Sequence, residues 1–305
     1  MTWRELLMEG KNILTAGKIE DAELDAWLLL EYVSQMDRAR FFLRQQENAP
    51  EENIRQYRDL IRQRGSHIPV QHLTGTQEFM GLEFLVSPEV LVPRQDTELL
   101  VEKLLPLIQG KKVLDICTGS GCIAIALAKL GVPKLVEATD LSEKALEIAG
   151  KNAEKLGADV AFYQGDLLEN ISAKYDIIVS NPPYIASEVV GGLMPEVREH
   201  EPLMALDGGA DGLVLYRRLL EQVPSHLEQG GIFAVEIGYD QGKAVSELFR
   251  EHGFERIECC KDLCGNDRVV MGSLNERLNA LCFRFKDCER LNNSRKQEEE
   301  KCLIV

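Results

Sequence analysis

The chain has 305 residues, enough for one full α/β domain and a smaller companion. Hydrophobic residues make up 45% and charged residues 28%, an ordinary globular balance, and aromatics at 6% point to an aliphatic core. A net charge of −15 argues against a dominant role in gripping nucleic-acid phosphates, which needs a concentrated positive field.

The first segment reads as a small helical bundle. Trp3, Leu6, Leu7, Ile13 and Leu14 recur at helical spacing. A second apolar run spans Ala22 to Ser34. A third, Glu51 to Arg64, puts Ile54, Tyr57, Leu60 and Ile61 on one face. The texture changes near Pro69. Glu78 to Val86 followed by Val90 to Pro93 reads as a β-hairpin, with Ser87-Pro88-Glu89 at the turn. From Thr97 helices and strands alternate. Strand-like runs fall at Lys112–Cys117, Leu135–Asp140, Val160–Gln164, Asp176–Ser180, Ile232–Glu236, Arg256–Cys260 and Arg268–Ser273. Helical patterns fall at Ile123–Leu130, Glu143–Leu156, Leu213–Leu227 and Gly242–His252. This alternation predicts a mostly parallel sheet with helices on both faces and a ligand at the carboxyl ends of the strands.

The expected organisation is a helical domain over 1–76, a hairpin linker over 77–93, a catalytic domain over 94–274 and a polar extension over 275–305. The extension ends in Cys302-Leu303-Ile304-Val305, which fits the prenylation pattern only loosely and is read as chance. No apolar run approaches the roughly 18 residues of a membrane span. Met1 to Glu5 carry no apolar segment of a secretory signal. The cysteines at 117, 122, 259, 260, 264, 282, 288 and 302 form no paired CxxC sets. They read as reduced structural thiols, so no metal site, no membrane and a cytoplasmic location are expected.

Three turns carry chemistry. In Asp115-Ile116-Cys117-Thr118-Gly119-Ser120-Gly121 a buried strand breaks into a turn before a helix, and Gly119 and Gly121 let the backbone approach a nucleotide-type ligand. Asp115 is a candidate for its charged end. The next strand ends at Asp140, about twenty residues on, where an acid can take both ribose hydroxyls. After the third strand, Asp166 is placed either to accept from an adenine amino group or to cap a helix, and Leu167 to cover the adenine face.

The fourth strand runs into Asn181-Pro182-Pro183-Tyr184. An amide nitrogen is a poor nucleophile because its lone pair is delocalised. The Asn181 side-chain oxygen and the Pro182 carbonyl can accept its two hydrogens, Pro183 stiffens the turn, and Tyr184 offers a flat face to a planar acceptor. The gain is orientation, which aims the lone pair at an electrophile.

The spacing from Asp115 through Gly119 and Gly121 resembles the first motif of class I methyltransferases, with Cys117 where that motif usually has glycine. Asn181 to Tyr184 resemble the signature of enzymes that methylate amino groups on planar systems, either adenine in nucleic acid or glutamine in protein. Longer strings separate these. Pro69 to Gly75, Glu78 to Phe84, Val90-Leu91-Val92-Pro93-Arg94-Gln95-Asp96-Thr97-Glu98, Glu201 to Leu213, Glu236-Ile237-Gly238 and Gly265-Asn266-Asp267-Arg268 resemble the release-factor glutamine methyltransferase family (PrmC/HemK). The resemblance implies a Rossmann-like class I methyltransferase fold behind a helical substrate-recognition domain. It implies methyl transfer from S-adenosylmethionine to the N5 atom of the glutamine in the Gly-Gly-Gln loop of class I peptide chain release factors. Asn181 to Tyr184 would bind that glutamine. Cys117, Thr118, Gly119, Ser120, Gly121, Asp140 and Asn181 would contact the cofactor. Arg94 and Glu98, beside the linker, read as a brace or a structural ion pair. A nucleic-acid adenine methyltransferase is the alternative, without the basic groove it would need. A haem-pathway oxidoreductase and a non-catalytic binding module find no supporting residues.

Overall fold

This computed structural model describes residues 1–274. The expectations for 275–305, including the terminal Cys302 to Val305, lie outside the described residues.

The chain opens with α1 (Trp3–Ala16), α2 (Ala22–Ser34), α3 (Arg38–Arg44), α4 (Glu51–Gly65) and α5 (Val70–Thr74). Thr2 and Glu5 form a capping box that satisfies two free N–H groups at the start of α1. Leu6 and Leu14 of α1 meet Leu29 and Leu30 of α2 and Tyr57 and Ile61 of α4 in one core. Ile13, expected on the apolar face, is exposed. The short α3 buries no residue, so it offered no periodic face to read.

A two-stranded hairpin follows, β1 (Thr76–Phe79) against β2 (Leu82–Leu85), with Phe79 opposite Leu82. The turn is therefore Met80-Gly81, not Ser87-Pro88-Glu89. Met80 at φ 53° and Gly81 at φ 71° are both left-handed, as the two-residue turns that match strand twist require. Val90 and Val92 are buried but form no strand. The hairpin is held at both ends. Glu98 accepts from the Met80 N–H at 2.6 Å, and Asn152 exchanges two hydrogen bonds with the Leu85 backbone.

The catalytic region contains α6 (Gln95–Leu104), β3 (Lys112–Ile116), α7 (Cys122–Leu130), β4 (Leu135–Asp140), α8 (Glu143–Leu156), β5 (Ala161–Gln164) and β6 (Tyr175–Ser180). Then come α9 (Ser187–Val190), α10 (Pro195–His200), α11 (Val214–His226), β7 (Leu227–Glu236), α12 (Gly242–Glu251), β8 (Phe254–Lys261) and β9 (Asp267–Leu274). The seven strands lie in the order β5-β4-β3-β6-β7-β9-β8. β3 to β7 run parallel, and β9 is antiparallel to both its neighbours.

Alternation along β6 divides two cores. Ile177 and Val179 pack with Leu100 and Ile123 on one face, and Ile178 packs with Tyr216 and Phe249 on the other. Strand order reverses between β3 and β6, the switch point at which open sheets of this kind hold ligands. Among the described residues no helix is long and apolar enough to cross a membrane.

Candidate active site

A cleft with a cavity volume of about 220 Å³ opens at that switch point. It is walled by Cys117 to Ser120 after β3, Thr139 to Ser142 at the end of β4 and just beyond it, Gly165 to Leu167 after β5, and Asn181 and Pro183 after β6.

The two glycines of the first turn do different work. A β-carbon on Gly119 would meet nothing within 4 Å, so its open side belongs to the cleft. A β-carbon on Gly121 would lie 2.9 Å from Ile125 Cδ1 and 3.1 Å from Ala149 Cβ. Gly121 is thus needed for close packing of α7 and α8, and its neighbours Ser120 and Cys122 line the cleft. Cys117 sits at φ 61°, the left-handed region that a glycine enters freely, and a side chain there costs roughly 1–2 kcal/mol.

Asp115 lies beneath the same turn. It is fully buried and does not line the cleft. Its Oδ2 accepts from Thr118 Oγ1 at 2.6 Å and from the Ala124 N–H at 3.3 Å, while Oδ1 has no partner. It staples the turn to α7, and burial pushes its pKa up to about 7.

Asp140 faces the cleft. Its oxygens accept from the Gly119 and Ser142 N–H groups, each at 2.8 Å, and each oxygen keeps a further lone pair. Burial raises its pKa, and those N–H groups oppose the rise.

Asp166 caps no helix, because none begins between β5 and β6. It pairs with Arg218 of α11 at 2.7 Å. Leu167 is buried and left-handed at φ 57°, and its carbonyl accepts from Thr139 Oγ1 at 3.2 Å. Asp166, Leu167 and Arg218 all line the cleft.

Of the tetrapeptide, Asn181 and Pro183 line the cleft, whereas Pro182 is buried. Asn181 Nδ2 donates to Thr97 Oγ1 of α6 at 3.3 Å. Tyr184 does not line the cavity. Its hydroxyl donates to Oε1 of the buried Glu236 at 3.2 Å, and its carbonyl accepts from Gln241 Nε2 at 2.9 Å. Burial pushes the Tyr184 pKa far up and raises that of Glu236. The 201–213 segment lies against the tetrapeptide. A β-carbon on Gly208 would stand 2.7 Å from Tyr184 Cα.

One cleft wall is clamped twice. Arg94 Nη2 reaches both oxygens of the buried Glu201, at 2.6 and 2.8 Å. The buried Arg64, from the helical bundle, reaches Glu196 of α10 at 3.0 Å and Asp25 at 2.6 Å.

Residues 5–75 match the PrmC N-terminal domain, and residues 94–194 match the Methyltransferase small domain. A release factor glutamine methyltransferase of Moorella thermoacetica is 42% identical, over 90% of this chain and 100% of that protein. That of Geobacter sulfurreducens is 40% identical, over 90% of this chain and 97% of that protein.

The chain belongs to the release factor glutamine methyltransferase family.

The relative from Bacillus subtilis, at 41% identity over 89% of this chain and 98% of its own length, agrees. A solved methyltransferase of Pyrococcus furiosus superimposes with a TM-score of 0.50 at 22% identity, over 65% of this chain and 91% of that one, and shares the class I methyltransferase fold. The PrmC N-terminal match ends at Gly75, where α5 gives way to β1. The methyltransferase match starts at Arg94, the partner of Glu201. Thr97 and Glu236 lie in strings that resemble the family, yet neither carried an assigned role from sequence. Arg218 and Gln241 gave no sequence signal, because their partners are far away along the chain.

Proposed function

We infer that this protein transfers a methyl group from S-adenosylmethionine to the N5 amide nitrogen of a glutamine in the Gly-Gly-Gln loop of a class I peptide chain release factor. The observation that carries the reading is the Asn181 carboxamide. Its Nδ2 is engaged by Thr97 at 3.3 Å, which leaves Oδ1 as its acceptor in the cleft. An oxygen in that place takes a hydrogen from the incoming amide and aims the nitrogen lone pair.

The cleft fits the methyl donor. Asp140 has lone pairs for two ribose hydroxyls, and Ile116, Leu141 and Leu167 supply apolar walls for a base. Gly119 leaves room for close approach. S-adenosylmethionine supplies an electrophilic methyl on a sulfonium. A nitrogen–carbon bond forms as the carbon–sulfur bond breaks, S-adenosylhomocysteine leaves, and the nitrogen gives up a proton. Orientation supplies most of the rate. A release-factor substrate puts the enzyme in the cytoplasm.

Methylation of a nucleic-acid adenine would use the same tetrapeptide on a flipped base. The charge of −15 disfavours it. The test is incubation with methyl-labelled S-adenosylmethionine and either a release factor or DNA, followed by mapping of the label. Label on the Gly-Gly-Gln glutamine is expected, and label on DNA alone would overturn the reading.

A further inference from the structure

Asn152, a side chain of α8 with no exposed surface, is hydrogen-bonded at both ends. Its Oδ1 accepts from the Leu85 N–H at 2.7 Å, and its Nδ2 donates to the Leu85 carbonyl at 3.0 Å and to the Ser120 carbonyl at 2.9 Å. Both amide hydrogens are used, so the side chain has a single workable orientation. Turned over, its NH₂ group would meet the Leu85 N–H, donor against donor. Leu85 ends β2 of the hairpin, whereas Ser120 belongs to the turn after β3 and lines the cleft. A buried carboxamide thus ties the linker between bundle and sheet to the wall of the ligand site.

The tie falls where that turn is loosest. A peptide unit rotates when ψ before it and φ after it change together, and a glycine after it removes most of the steric resistance. Gly121, at φ 82°, follows the Ser120 carbonyl. The peptide between them is held at one end by the Gly121 N–H on the Thr118 carbonyl, at 2.9 Å, and at the other by Asn152. The first contact lies inside the turn and the second comes from outside it. Without Asn152 a buried carbonyl has no donor, and rotation of the peptide relieves it. The same face of α8 meets both structures. Ala145 packs with Val86 and Val90 just after the hairpin and also lines the cleft, and Ala149 lies against Gly121. The ion pairs Lys155–Glu83 and Lys144–Glu89 join α8 to the same segment, but they stand in solvent, where such pairs contribute little.

We propose that Asn152 is a positioning residue for the cofactor, which keeps the Ser120 carbonyl, and with it the turn after β3, in the binding shape by anchoring it to the hairpin. The proposal rests on the reading of the cleft as the S-adenosylmethionine site. Asn152 does not line the cleft and touches no reacting atom. Without it the empty turn spends much of its time in other shapes, and cofactor binding has to restore the one that fits. Apparent affinity then falls in proportion to the fraction of molecules whose turn is competent. Turnover with the site filled does not fall, because the filled turn has its proper shape.

The test is calorimetric titration of S-adenosylhomocysteine into the full chain, as wild type, Asn152→Asp and Asn152→Ser. Melting temperatures of the cofactor-free proteins and single-turnover rates with a release factor at saturating S-adenosylmethionine are measured beside it. Asn152→Asp keeps the shape and the acceptor for the Leu85 N–H and deletes both donors. Asn152→Ser is too short to reach both backbones. Each should weaken binding about tenfold, the order for one buried acceptor left without its donor. The rate at saturating cofactor should stay within about twofold of wild type, which puts the loss in KM and not in kcat.

A merely structural Asn152 would lower the melting temperature and leave the affinity of the folded protein where it was, and that result overturns the proposal. So does a loss of rate that saturating cofactor fails to repair. If Asn152→Asp is unfolded at the assay temperature, Asn152→Ser carries the same comparison. Tight binding by wild type and variants alike defeats the positioning role alone. No binding by wild type defeats the cofactor reading beneath it.

Discussion

Arg64 and Glu196 stand 3.0 Å apart across the boundary between the helical bundle and the catalytic sheet. Arg64 is 6% exposed, and its guanidinium also meets Asp25 at 2.6 Å. His67 Nδ1 lies 3.0 Å from the same Glu196 oxygen. The bundle thus grips α10, close before the residues at 202–207 that wall the cleft.

Removing Arg64 leaves two carboxylates in a poorly hydrated place. Arg64→Ala should destabilise the folded protein by about 3–5 kcal/mol, the cost of stripping one partner from a buried pair. Denaturant unfolding measures this. A loss below about 1 kcal/mol would mean that water replaces the guanidinium.

Asp140→Ala removes the lone pairs assigned to the ribose and should weaken S-adenosylmethionine binding by roughly 1–3 kcal/mol. The same substitution frees the Gly119 and Ser142 N–H groups, so the turn loosens too. Asp140→Asn separates the effects, since it keeps acceptor capacity on only one atom. Calorimetric titration should rank wild type, Asn and Ala in order of falling affinity. Equal affinities would remove Asp140 from the site.

Asn181→Ala should slow methyl transfer at least about a hundredfold, the order for loss of one preorganised polar contact at a reacting centre. Asn181→Asp keeps an oxygen toward the cleft but cannot donate to Thr97. It also sets a negative charge near a sulfonium whose positive charge disperses on transfer. A folded, cofactor-binding and slow Asp variant is expected, and rapid-quench rates decide it. Near-normal rates in both variants would mean that another group orients the amide.

Asp115 gives a pH signature. Its pKa is raised by burial from 3.8 to about 7 in the folded state. The folded protein therefore favours the neutral acid, and this contribution to stability is full below about pH 4 and is lost as pH rises through about 7. Asp115→Asn carries no such group. The melting temperature of the variant relative to wild type should climb between pH 4.5 and pH 8, and a constant difference would assign the acid an ordinary pKa.

The strand at Leu135–Asp140 and the helix at Glu143–Leu156 fall where periodicity put them, and the Ser142 hydroxyl caps that helix. The alternation of elements was enough to locate the cleft at the strand ends. The hairpin turn was not legible, because Met at a left-handed position is not a turn signal, whereas Ser87-Pro88-Glu89 looks like one. Gly121 and Asp115 pose a related difficulty. Sequence marks a residue that must be small or acidic, but not whether a ligand or a neighbouring helix makes the demand. Thr97 and Glu236 stand 84 and 52 residues from their partners in the tetrapeptide, so only the folded chain joins them.

The close seat of Gly208 against Tyr184 bears on how such an enzyme can change. With Gly208 under it, the bed that supports the tetrapeptide has no slack. Even one methyl group there would collide at 2.7 Å with main-chain atoms, which cannot swing aside as a side chain does. New acceptors are therefore unreachable by reshaping that bed in single steps. Variation in what the enzyme accepts has to enter elsewhere on the cleft wall, as at Met204, which lines the cleft and stands half-open to solvent, so that a substitution displaces only water.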